Sequence, residues 1–320
     1  MTEGLYGGQG FYVISLGGNA LIRRGERGTI EEQFEHARSC MEQVSLLVRA
    51  GNRVVITHGN GPIVGNIVLR NEAAKNTVPP MPLYICDADS EGGIGYMLQQ
   101  TIYNSLREIG HPGDVVTVIT QVVVDKNDPA FLKPTKPIGA FYSEGEADDL
   151  GKEKLWRFIE DSGRGFRRVV PSPVPRKIVE SGVIRSLCEL GVIVIAAGGG
   201  GVPVIELDDK RLRGVDAVID KDLSTSLLAR EIGAERIINL TEVDRVYLNY
   251  GRENQEGLVD VSLSKVKEYS GQGHFAAGSM GPKIEAAVEF IEGGGQDAVI
   301  ARPGDLLAAM EGGAGTRIIL

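Results

Sequence analysis

The sequence predicts an α/β fold in which a mostly parallel β-sheet is covered by helices on both faces. Aliphatic runs of strand length alternate with segments of helical periodicity along most of the chain. The runs are apolar at consecutive positions, which is typical of parallel strands that are buried on both faces. With 320 residues, the chain is also long enough to bury the core that such a fold requires.

The predicted elements follow one another in a regular order. Runs rich in valine and isoleucine predict strands, and apolar residues that recur every three or four positions predict helices. The predicted strands are FYVISL (11–16), RVVIT (53–57), VVTVITQVVV (115–124), VIVIAA (192–197), RIINL (236–240) and DAVIA (297–301). The predicted helices span about residues 30–48, 62–75, 95–109, 221–231 and 283–291. In such a sheet ligands gather at the carboxyl ends of the strands, so motifs that follow a strand are candidates for the site.

Residues 125–175 interrupt this alternation and are rich in proline, charged and aromatic residues. We interpret them as an inserted protruding subdomain, or lid, within a single domain of residues 1–320, because long excursions from compact domains are more often functional than idle. The alternative is an ordered surface excursion without a catalytic role. The glycine-rich residues 1–10 are expected to form a flexible leader.

Composition and charge exclude several classes of protein. The net charge of −9 and the isoelectric point of about 5.2 argue against nonspecific nucleic-acid binding. No apolar run is long enough to cross a bilayer, and the residues before Phe11 do not resemble a signal peptide, so we expect a cytoplasmic protein with no membrane partner. Three widely separated cysteines indicate neither a disulfide framework nor a zinc site.

Three glycine-rich turns each follow a predicted strand. Glycine in such a turn permits a positive φ or the close approach of a ligand to the backbone. Several such turns at one sheet edge present backbone N–H groups and helix N-termini together, which favours binding of an anion such as phosphate. The residues concerned are Gly17, Gly18 and Asn19, then Gly59, Asn60 and Gly61, and finally Gly199, Gly200 and Gly201.

Two lysines stand at predicted helix starts, where a positive charge opposes the helix dipole unless an anion lies nearby. They are Lys221 and Lys283, and they suggest an anion that both share. Asp222 could orient them or help to hold Mg²⁺ through a nucleotide; alternatively, it is an acid favoured in the first helical turn. In the inserted segment Lys136 precedes a proline, which favours an extended backbone and a projecting side chain.

These residues suit phosphoryl transfer, which requires positioning and charge neutralisation rather than covalent chemistry. The motif GxxxxGK[ST] is absent, so a P-loop enzyme is not expected. No histidine or acid is an obvious general base, which suits an acceptor that is already ionised, such as a carboxylate or carbamate oxygen.

Motifs from about residue 11 to the C-terminus also carry a family resemblance. In chain order they are LGGNAL, THGNGP, ITQVVVDKNDPAFLKPTKPIG, EDSGRGFRRVVPSP, VIVIAAGGGGVPV, VIDKDL and GHFAAGSMGPK. With them the sequence resembles the carbamate kinases, a branch of the amino acid kinase family. The resemblance implies a homodimer, a three-layer αβα sandwich with a small protruding subdomain, and reversible phosphoryl transfer between carbamoyl phosphate with MgADP and carbamate with MgATP.

The same resemblance implies roles for individual residues. Lys136 would reach the acceptor and the phosphoryl group, while Lys221 and Lys283 would neutralise the nucleotide phosphates and the transition state, with Asp222 organising them. The three glycine-rich turns would bind carbamate and phosphate. Mg²⁺ would be held mainly through the phosphates of ATP or ADP, with no metal site in the protein itself. The nucleotide would further contact Val243, Tyr250, Met280 and Gly281.

One departure from the family pattern concerns Asp89 and Glu91, which stand where the family has an apolar residue and a glutamine. We expect them to precede a helix, where they are favourable first-turn charges. In the carbamate pocket they would instead repel an anionic substrate, and they are the only support for an alternative function, a kinase of the same fold for another small carboxylate or carbamate-like anion. A further alternative is a nucleotide-binding regulator without turnover, which the retention of all three lysines argues against.

Overall fold

The computed structural model describes residues 9–22, 25–160, 163, 165–276 and 278–320, so the predicted leader lies outside it except for Gln9 and Gly10. None of the described helices is both long and apolar enough to cross a membrane. The strands are β1 (Phe11–Leu16), β2 (Arg53–His58), β3 (Val115–Val118), β4 (Gln121–Val124), β5 (Lys136–Tyr142), β6 (Arg157–Glu160), β7 (Phe166–Val170), β8 (Pro175–Ile178), β9 (Ile193–Ala196), β10 (Val202–Glu206), β11 (Leu212–Gly214), β12 (Arg236–Leu240), β13 (Tyr247–Leu248), β14 (Glu256–Gly257), β15 (Asp260–Ser262), β16 (Asp297–Ala301) and β17 (Thr316–Ile319). The helices are α1 (Ile30–Arg49), α2 (Gly61–Ala74), α3 (Leu83–Glu108), α4 (Glu144–Lys154), α5 (Ser181–Glu189), α6 (Lys221–Ile232), α7 (Leu263–Gly271), α8 (Met280–Glu292) and α9 (Leu306–Met310).

The central sheet has eight strands in the order β15-β17-β16-β12-β1-β2-β9-β3. Neighbouring strands are parallel except β16 and β17. Each face of the sheet has its own core, because successive side chains of a strand point to opposite faces. Val13 of β1 belongs to a core with Leu228 of α6, whereas Ile14 belongs to a core with Met41 of α1 and Leu98 of α3. The predicted three-layer α/β fold with a mostly parallel sheet is therefore confirmed.

The prediction of a single strand at residues 115–124 is wrong. This run forms β3 at the edge of the central sheet and β4 in a second sheet of order β11-β10-β4-β8. The chain leaves the strand conformation at Ile119 and Thr120, where the Thr120 hydroxyl donates to the carbonyl oxygen of Val118 at 2.7 Å. The polar residues Thr120 and Gln121 stand at this break, but the valine-rich segments on both sides of them predicted one continuous strand.

Helix α3 begins at Leu83, well before the predicted start near residue 95. Asp89 and Glu91 therefore lie inside a helix, and the expectation that they precede one is wrong. Asp87, Ser90 and Glu91 are buried, so polar side chains occupy the inner helix face on which periodicity analysis expects apolar ones.

Within residues 125–175, β5, β7 and β6 form a separate three-stranded antiparallel sheet, and α4 connects β5 to β6. Strand β5 lies against α2, where a Cβ added to Gly65 would overlap the backbone of Gly139. This sheet is thus held close to the end of β2. Its role as a lid stays a prediction.

Candidate active site

The three glycine-rich turns meet at the carboxyl edge of the central sheet. Gly17 follows β1, Gly59 follows β2 and Gly198 follows β9, and these three strands lie side by side. A Cβ added to Gly59 would lie 2.8 Å from the backbone nitrogen of Gly18, and one added to Gly199 would overlap the Asn60 amide. The turns therefore touch one another, as the sequence predicted.

Asn19 and Gly61 complete the first two turns. Asn19 lies in a short 3₁₀ turn, Gly18–Ala20, and its side chain lies outside what the structure describes. Gly61 is the first residue of α2, and a Cβ added there would meet nothing within 4 Å. The space beside the first residue of α2 is thus open, and a helix N-terminus of this kind favours an anion.

Lys221 and Lys283 share the carboxylate of Asp222. The Lys221 ammonium lies 2.6 Å from one carboxylate oxygen, and the Lys283 ammonium lies 3.0 Å from the other. Lys221 also donates to the Ser15 hydroxyl at 2.8 Å. Asp222 and Lys283 are buried, so these are specific, desolvated contacts rather than surface pairs.

The charges of this cluster do not cancel. Burial by itself raises the pKa of Asp222, but the charges and hydrogen bonds of Lys221 and Lys283 outweigh it and lower that pKa to about 2. Burial lowers the pKa of Lys221, against the attraction of Asp222. Two ammonium groups thus face one carboxylate at the N-terminus of α6, and the excess positive charge favours an anion there.

Helix α6 begins at Lys221 because Asp220 caps it. The Asp220 side chain accepts a hydrogen bond from the backbone N–H of Asp222 at 2.9 Å, which is the N-cap arrangement. Its other carboxylate oxygen lies 2.5 Å from the ammonium of Lys136 on β5. The structure therefore brings Lys136 to the same helix end as the other two lysines.

Sequence reasoning missed Asp220, Ser15, Thr57 and Thr225. Ser15 and Thr57 are paired in register on β1 and β2, and the Thr57 hydroxyl lies 2.7 Å from that of Thr225 on α6. Both strand residues are buried polar side chains within aliphatic strands, which was a usable signal. The acid directly before the predicted helix was an equally usable N-cap signal for Asp220.

The glycine-rich turn after β9 contacts the same helix. The carbonyl oxygen of Gly200 accepts a hydrogen bond from the Ser224 hydroxyl at 2.7 Å. Gly199, Gly200 and Gly201 all have positive φ, of 68°, 103° and 82°. A Cβ on Gly201 would also overlap Val122, so this turn has no room for side chains.

Lys283 was predicted to be the first residue of a helix. Helix α8 instead begins at Met280, so Lys283 lies inside its first turn. Gly281 donates its backbone N–H to the carbonyl oxygen of Ala276 at 2.8 Å, and a Cβ there would lie 3.0 Å from that oxygen. Met280 packs against the core beneath. The loop before α8 is therefore drawn close to the helix that carries Lys283.

Val243 and Tyr250 are not brought into the lysine cluster. Both follow β12, and Tyr250 is 66% exposed with its ring centroid 5.9 Å from that of Tyr247. Among the described residues, no hydrogen bond or ion pair connects either one to Lys221 or Lys283. Their place beside adenine stays a prediction.

Asp220 and Asp222, the two carboxylates at the start of α6, are already engaged by the protein. Asp222 binds two lysines, and Asp220 binds Lys136 and caps α6. In the part of the chain that the structure describes, no three or more His, Cys, Asp or Glu residues are grouped as metal ligands. Because the oxygens of Asp220 and Asp222 already bind lysines and backbone N–H, the donors at the start of α6 fit a cation that arrives with an anionic ligand.

Comparisons with known proteins give a consistent result. Residues 10–302 match the sequence model of the amino acid kinase family. The carbamate kinase of Pyrococcus furiosus is 50% identical over 309 residues, which cover 96% of this chain and 98% of that protein. The carbamate kinase-like protein YahI of Escherichia coli is 46% identical over 310 residues, with coverage of 96% and 98%. The structure of carbamate kinase from Giardia lamblia bound to AMP-PNP is 43% identical, with a TM-score of 0.90 and coverage of 98% of this chain and 99% of that chain.

Proposed function

The chain belongs to the amino acid kinase family and, within it, to the carbamate kinases, and we propose that it transfers a phosphoryl group reversibly between carbamoyl phosphate with MgADP and carbamate with MgATP. The single observation that carries this proposal is the cluster of Lys221, Lys283 and Asp222 at the capped N-terminus of α6. The three glycine-rich turns surround this cluster. Positive charge and open backbone N–H groups are the features that phosphoryl transfer requires.

Lys221 and Lys283 neutralise the nucleotide phosphates and the charge of the phosphoryl group in transit. Asp222 holds the two ammonium groups apart at fixed positions, since each binds a different oxygen of one carboxylate. Preorganised charges of this kind stabilise a transition state without reorganising during the reaction. Lys136 approaches from β5 and contacts the acceptor and the phosphoryl group.

The glycine-rich turns bind the substrate oxygens through backbone N–H groups. Gly17, Gly18 and Asn19 form the first substrate loop, and Gly59, Asn60 and Gly61 form the second. Gly199, Gly200 and Gly201 lie along the carbamate and phosphate. On the nucleotide side, Val243 and Tyr250 flank adenine, and Met280 and Gly281 line the phosphate end. The family resemblance supports all of these assignments, and for the residues other than Val243 and Tyr250 the position at or near the sheet edge supports them as well.

The acceptor in this reaction needs no general base. A carbamate oxygen is already ionised, so no proton has to be removed before it attacks the phosphoryl group. His58, the histidine nearest the turns, is fully buried and its pKa is lowered by that burial to about 4, so it is neutral. Neutral His58 therefore adds no charge to the phosphate site.

Mg²⁺ accompanies the nucleotide in this proposal. When bound, it neutralises charge on the phosphate oxygens, and few protein carboxylates are needed to hold it there. This agrees with Asp220 and Asp222, whose oxygens are already engaged by lysines and by the backbone of α6. The location in the cytoplasm stays a prediction. On the basis of the family resemblance, we also propose a place in arginine metabolism.

We further propose that the protein is a homodimer through helix α3. Ile85, Tyr96 and Tyr103 are 38%, 62% and 45% exposed and recur at intervals that place them on one side of this helix. Ile119, just after β3, is 45% exposed. Large exposed apolar residues on one face are typical of subunit contacts. Sedimentation should give a dimer mass, and Tyr96→Glu should shift it to the monomer; a monomeric wild type would contradict the proposal.

The deciding experiment is coupled ATP formation from carbamoyl phosphate and MgADP, with acetyl phosphate as the control donor. ATP formation with carbamoyl phosphate but not with acetyl phosphate would support the proposed reaction and its selectivity. No ATP from a folded protein that binds ADP would favour a kinase for another small anionic acceptor, or a nucleotide-binding regulator. Glu91 does not support a kinase for another small anion, since its side chain is 1% exposed and does not reach a substrate surface.

A further inference from the structure

Glu91 is a buried acid inside α3 that binds the backbone of two other segments. One of its carboxyl oxygens accepts a hydrogen bond from the backbone N–H of Gly198 at 2.9 Å. The backbone N–H of Thr120 lies 3.2 Å from each of its two oxygens. A single side chain thus connects α3 with the turn after β9 and with the turn between β3 and β4.

Thr120 in turn holds both ends of the turn after β9, residues 197–202, called here the glycine loop. Its hydroxyl accepts a hydrogen bond from the backbone N–H of Ala197 at 2.8 Å. Its carbonyl oxygen accepts one from the backbone N–H of Val202, also at 2.8 Å. Because Glu91 binds both Thr120 and Gly198, it fixes the positions of the groups that hold the two ends of the glycine loop.

The backbone of the glycine loop has positive φ angles, which need hydrogen bonds from neighbouring segments to hold them. Ala197 has a φ of 50°, and Gly199, Gly200 and Gly201 have φ values of 68°, 103° and 82°. A left-handed conformation costs an alanine roughly 1–2 kcal/mol, and it persists only where the surroundings hold it in place. Without its partners, the loop would relax to other conformations.

The opposite side of the loop faces the lysine cluster. Ser224, on the helix that carries Lys221 and Asp222, donates its hydroxyl to the carbonyl oxygen of Gly200 at 2.7 Å. A displaced loop would therefore change its position relative to the phosphoryl-stabilising charges. We propose, on the basis of the function proposed above, that Glu91 is a positioning residue, which through Thr120 and Gly198 keeps the glycine loop in the shape that binds the phosphoryl donor beside Lys221.

The charge state of Glu91 gives this role a measurable signature. Burial, with a smaller contribution from Glu180, outweighs the backbone N–H groups of Thr120 and Gly198 and raises the pKa of Glu91 to about 8. His58, whose imidazole fills the space of a Cβ on Gly198, is neutral because burial lowers its pKa. Burial also raises the pKa of Asp87, one turn earlier on α3. At pH 7, Glu91 is therefore a neutral acid, close in shape and charge to a glutamine.

Above pH 8, Glu91 becomes an anion directly behind a loop that binds an anion. We expect the KM of the wild type for carbamoyl phosphate to rise above this pH, with the KM for ADP much less affected. Glu91→Gln should match the wild type at pH 7 and lack this rise, since glutamine does not ionise. Glu91→Ala should lower kcat/KM for carbamoyl phosphate roughly 100-fold at pH 7, because the loop is displaced by a fraction of an ångström or more.

Glu180→Gln is the matched control. The Glu180 carboxylate also accepts a backbone N–H, that of Gln121 at 2.7 Å, but the structure gives it no hydrogen bond with the glycine loop. We expect Glu180→Gln to keep the kinetic constants of the wild type at pH 7. Because Glu180 no longer raises the pKa of Glu91 in this variant, the rise in KM should remain but begin at a lower pH. Thr120→Val should lower kcat/KM for carbamoyl phosphate as Glu91→Ala does, and Thr120→Ser should restore it. These two variants test the inference if Glu91→Ala does not fold.

Hydrogen exchange of the backbone amides separates this inference from the proposed function. Glu91→Ala should accelerate exchange at residues 197–202 whether or not the protein makes ATP, and Glu180→Gln should not. An inactive wild type would overturn the proposed function alone. Two results would overturn the role of Glu91. One is a Glu91→Ala variant with a lower Tm but unchanged hydrogen exchange and unchanged kinetic constants. The other is a Glu91→Gln variant whose KM for carbamoyl phosphate still rises above pH 8.

Discussion

The ammonium nitrogen of Lys136 lies 2.5 Å from a carboxylate oxygen of Asp220. Lys136 begins the first strand of the protruding sheet, and Asp220 is the N-cap of α6. This ion pair therefore joins the inserted segment to the helix end at which Lys221 and Asp222 lie. It places a third lysine within reach of a ligand held by the other two.

We expect Lys136→Ala to reduce ATP formation from carbamoyl phosphate roughly 100- to 1,000-fold, the loss typical of removing one preorganised transition-state donor. ADP binding should change little, since Lys221 and Lys283 remain in place. Steady-state kinetics and calorimetric titration with ADP measure the two effects. Lys133→Ala is the matched control, because Lys133 is an exposed lysine of the same segment; full activity in Lys136→Ala would remove Lys136 from the mechanism.

Asp222→Asn should destabilise the fold as well as stop turnover. The substitution leaves Lys221 and Lys283 buried without their shared counter-charge, and loss of one partner from a buried ion pair costs about 3–5 kcal/mol. Urea unfolding at pH 7 measures this cost. Asp148→Asn, at an exposed position of α4, should have almost no effect.

The stability difference between the wild type and Asp222→Asn should depend on pH in a direction that the pKa of Asp222 determines. The pKa of Asp222 is lowered to about 2 in the folded protein, below its ordinary value of 3.8. Its contribution to the free energy of unfolding is therefore present above the ordinary value and is lost as the pH falls toward 2. The stability difference between the wild type and Asp222→Asn should shrink over that interval. A difference that stays constant down to pH 2 would contradict a charged Asp222 in the folded state.

The sequence predicted the sheet and the glycine-rich turns because both leave local signals. Aliphatic runs mark β1, β2, β9, β12 and β16, and a turn at the end of a parallel strand must lie at the common edge. The approach of Lys136 to Asp220 left no such signal. These residues are far apart in the chain, and their contact depends on how the protruding sheet lies against α2.

Buried polar groups account for most of the errors. Helix α3 was predicted too short because Asp87, Ser90 and Glu91 stand on its buried face, where a periodicity analysis expects apolar side chains. The partners that justify their burial, such as Asn60 for Ser90 and Gly198 for Glu91, come from other segments. Only the folded structure shows that Glu91 lies inside α3 and binds the backbone of Gly198, and that it does not stand at a helix start.

Glu91→Gln should change the pH dependence of stability in the direction opposite to Asp222→Asn. The pKa of Glu91 is raised to about 8 in the folded protein from an ordinary value of 4.5. Its protonated form therefore stabilises the fold at low pH, and this contribution is lost as the pH rises through 8. Glu91→Gln should gain stability relative to the wild type between about pH 4.5 and pH 8, by on the order of 1 kcal/mol per pH unit, and the difference should level off above pH 8. Chemical unfolding at several pH values tests this, and parallel curves would show that Glu91 is already ionised in the folded protein.

The contact between Gly65 and Gly139 should control the protruding sheet. A Cβ on Gly65 would overlap the backbone of Gly139, which cannot move away as a flexible side chain could. Gly65→Ala should therefore shift β5 off α2 and carry Lys136 away from Asp220. We expect kcat/KM for carbamoyl phosphate to fall roughly 100-fold, as for a misplacement of about 1 Å, with ADP binding retained.

Gly145→Ala is the control for this last substitution. Gly145 is an exposed glycine of α4 within the same inserted segment, and a Cβ there would meet nothing within 4 Å. Alanine is favoured over glycine in a helix by up to about 1 kcal/mol, so this variant should be slightly more stable and fully active. Limited proteolysis should cut residues 125–175 faster in Gly65→Ala than in Gly145→Ala. Equal rates of cleavage together with wild-type kinetics in Gly65→Ala would mean that the position of the protruding sheet does not depend on this backbone contact.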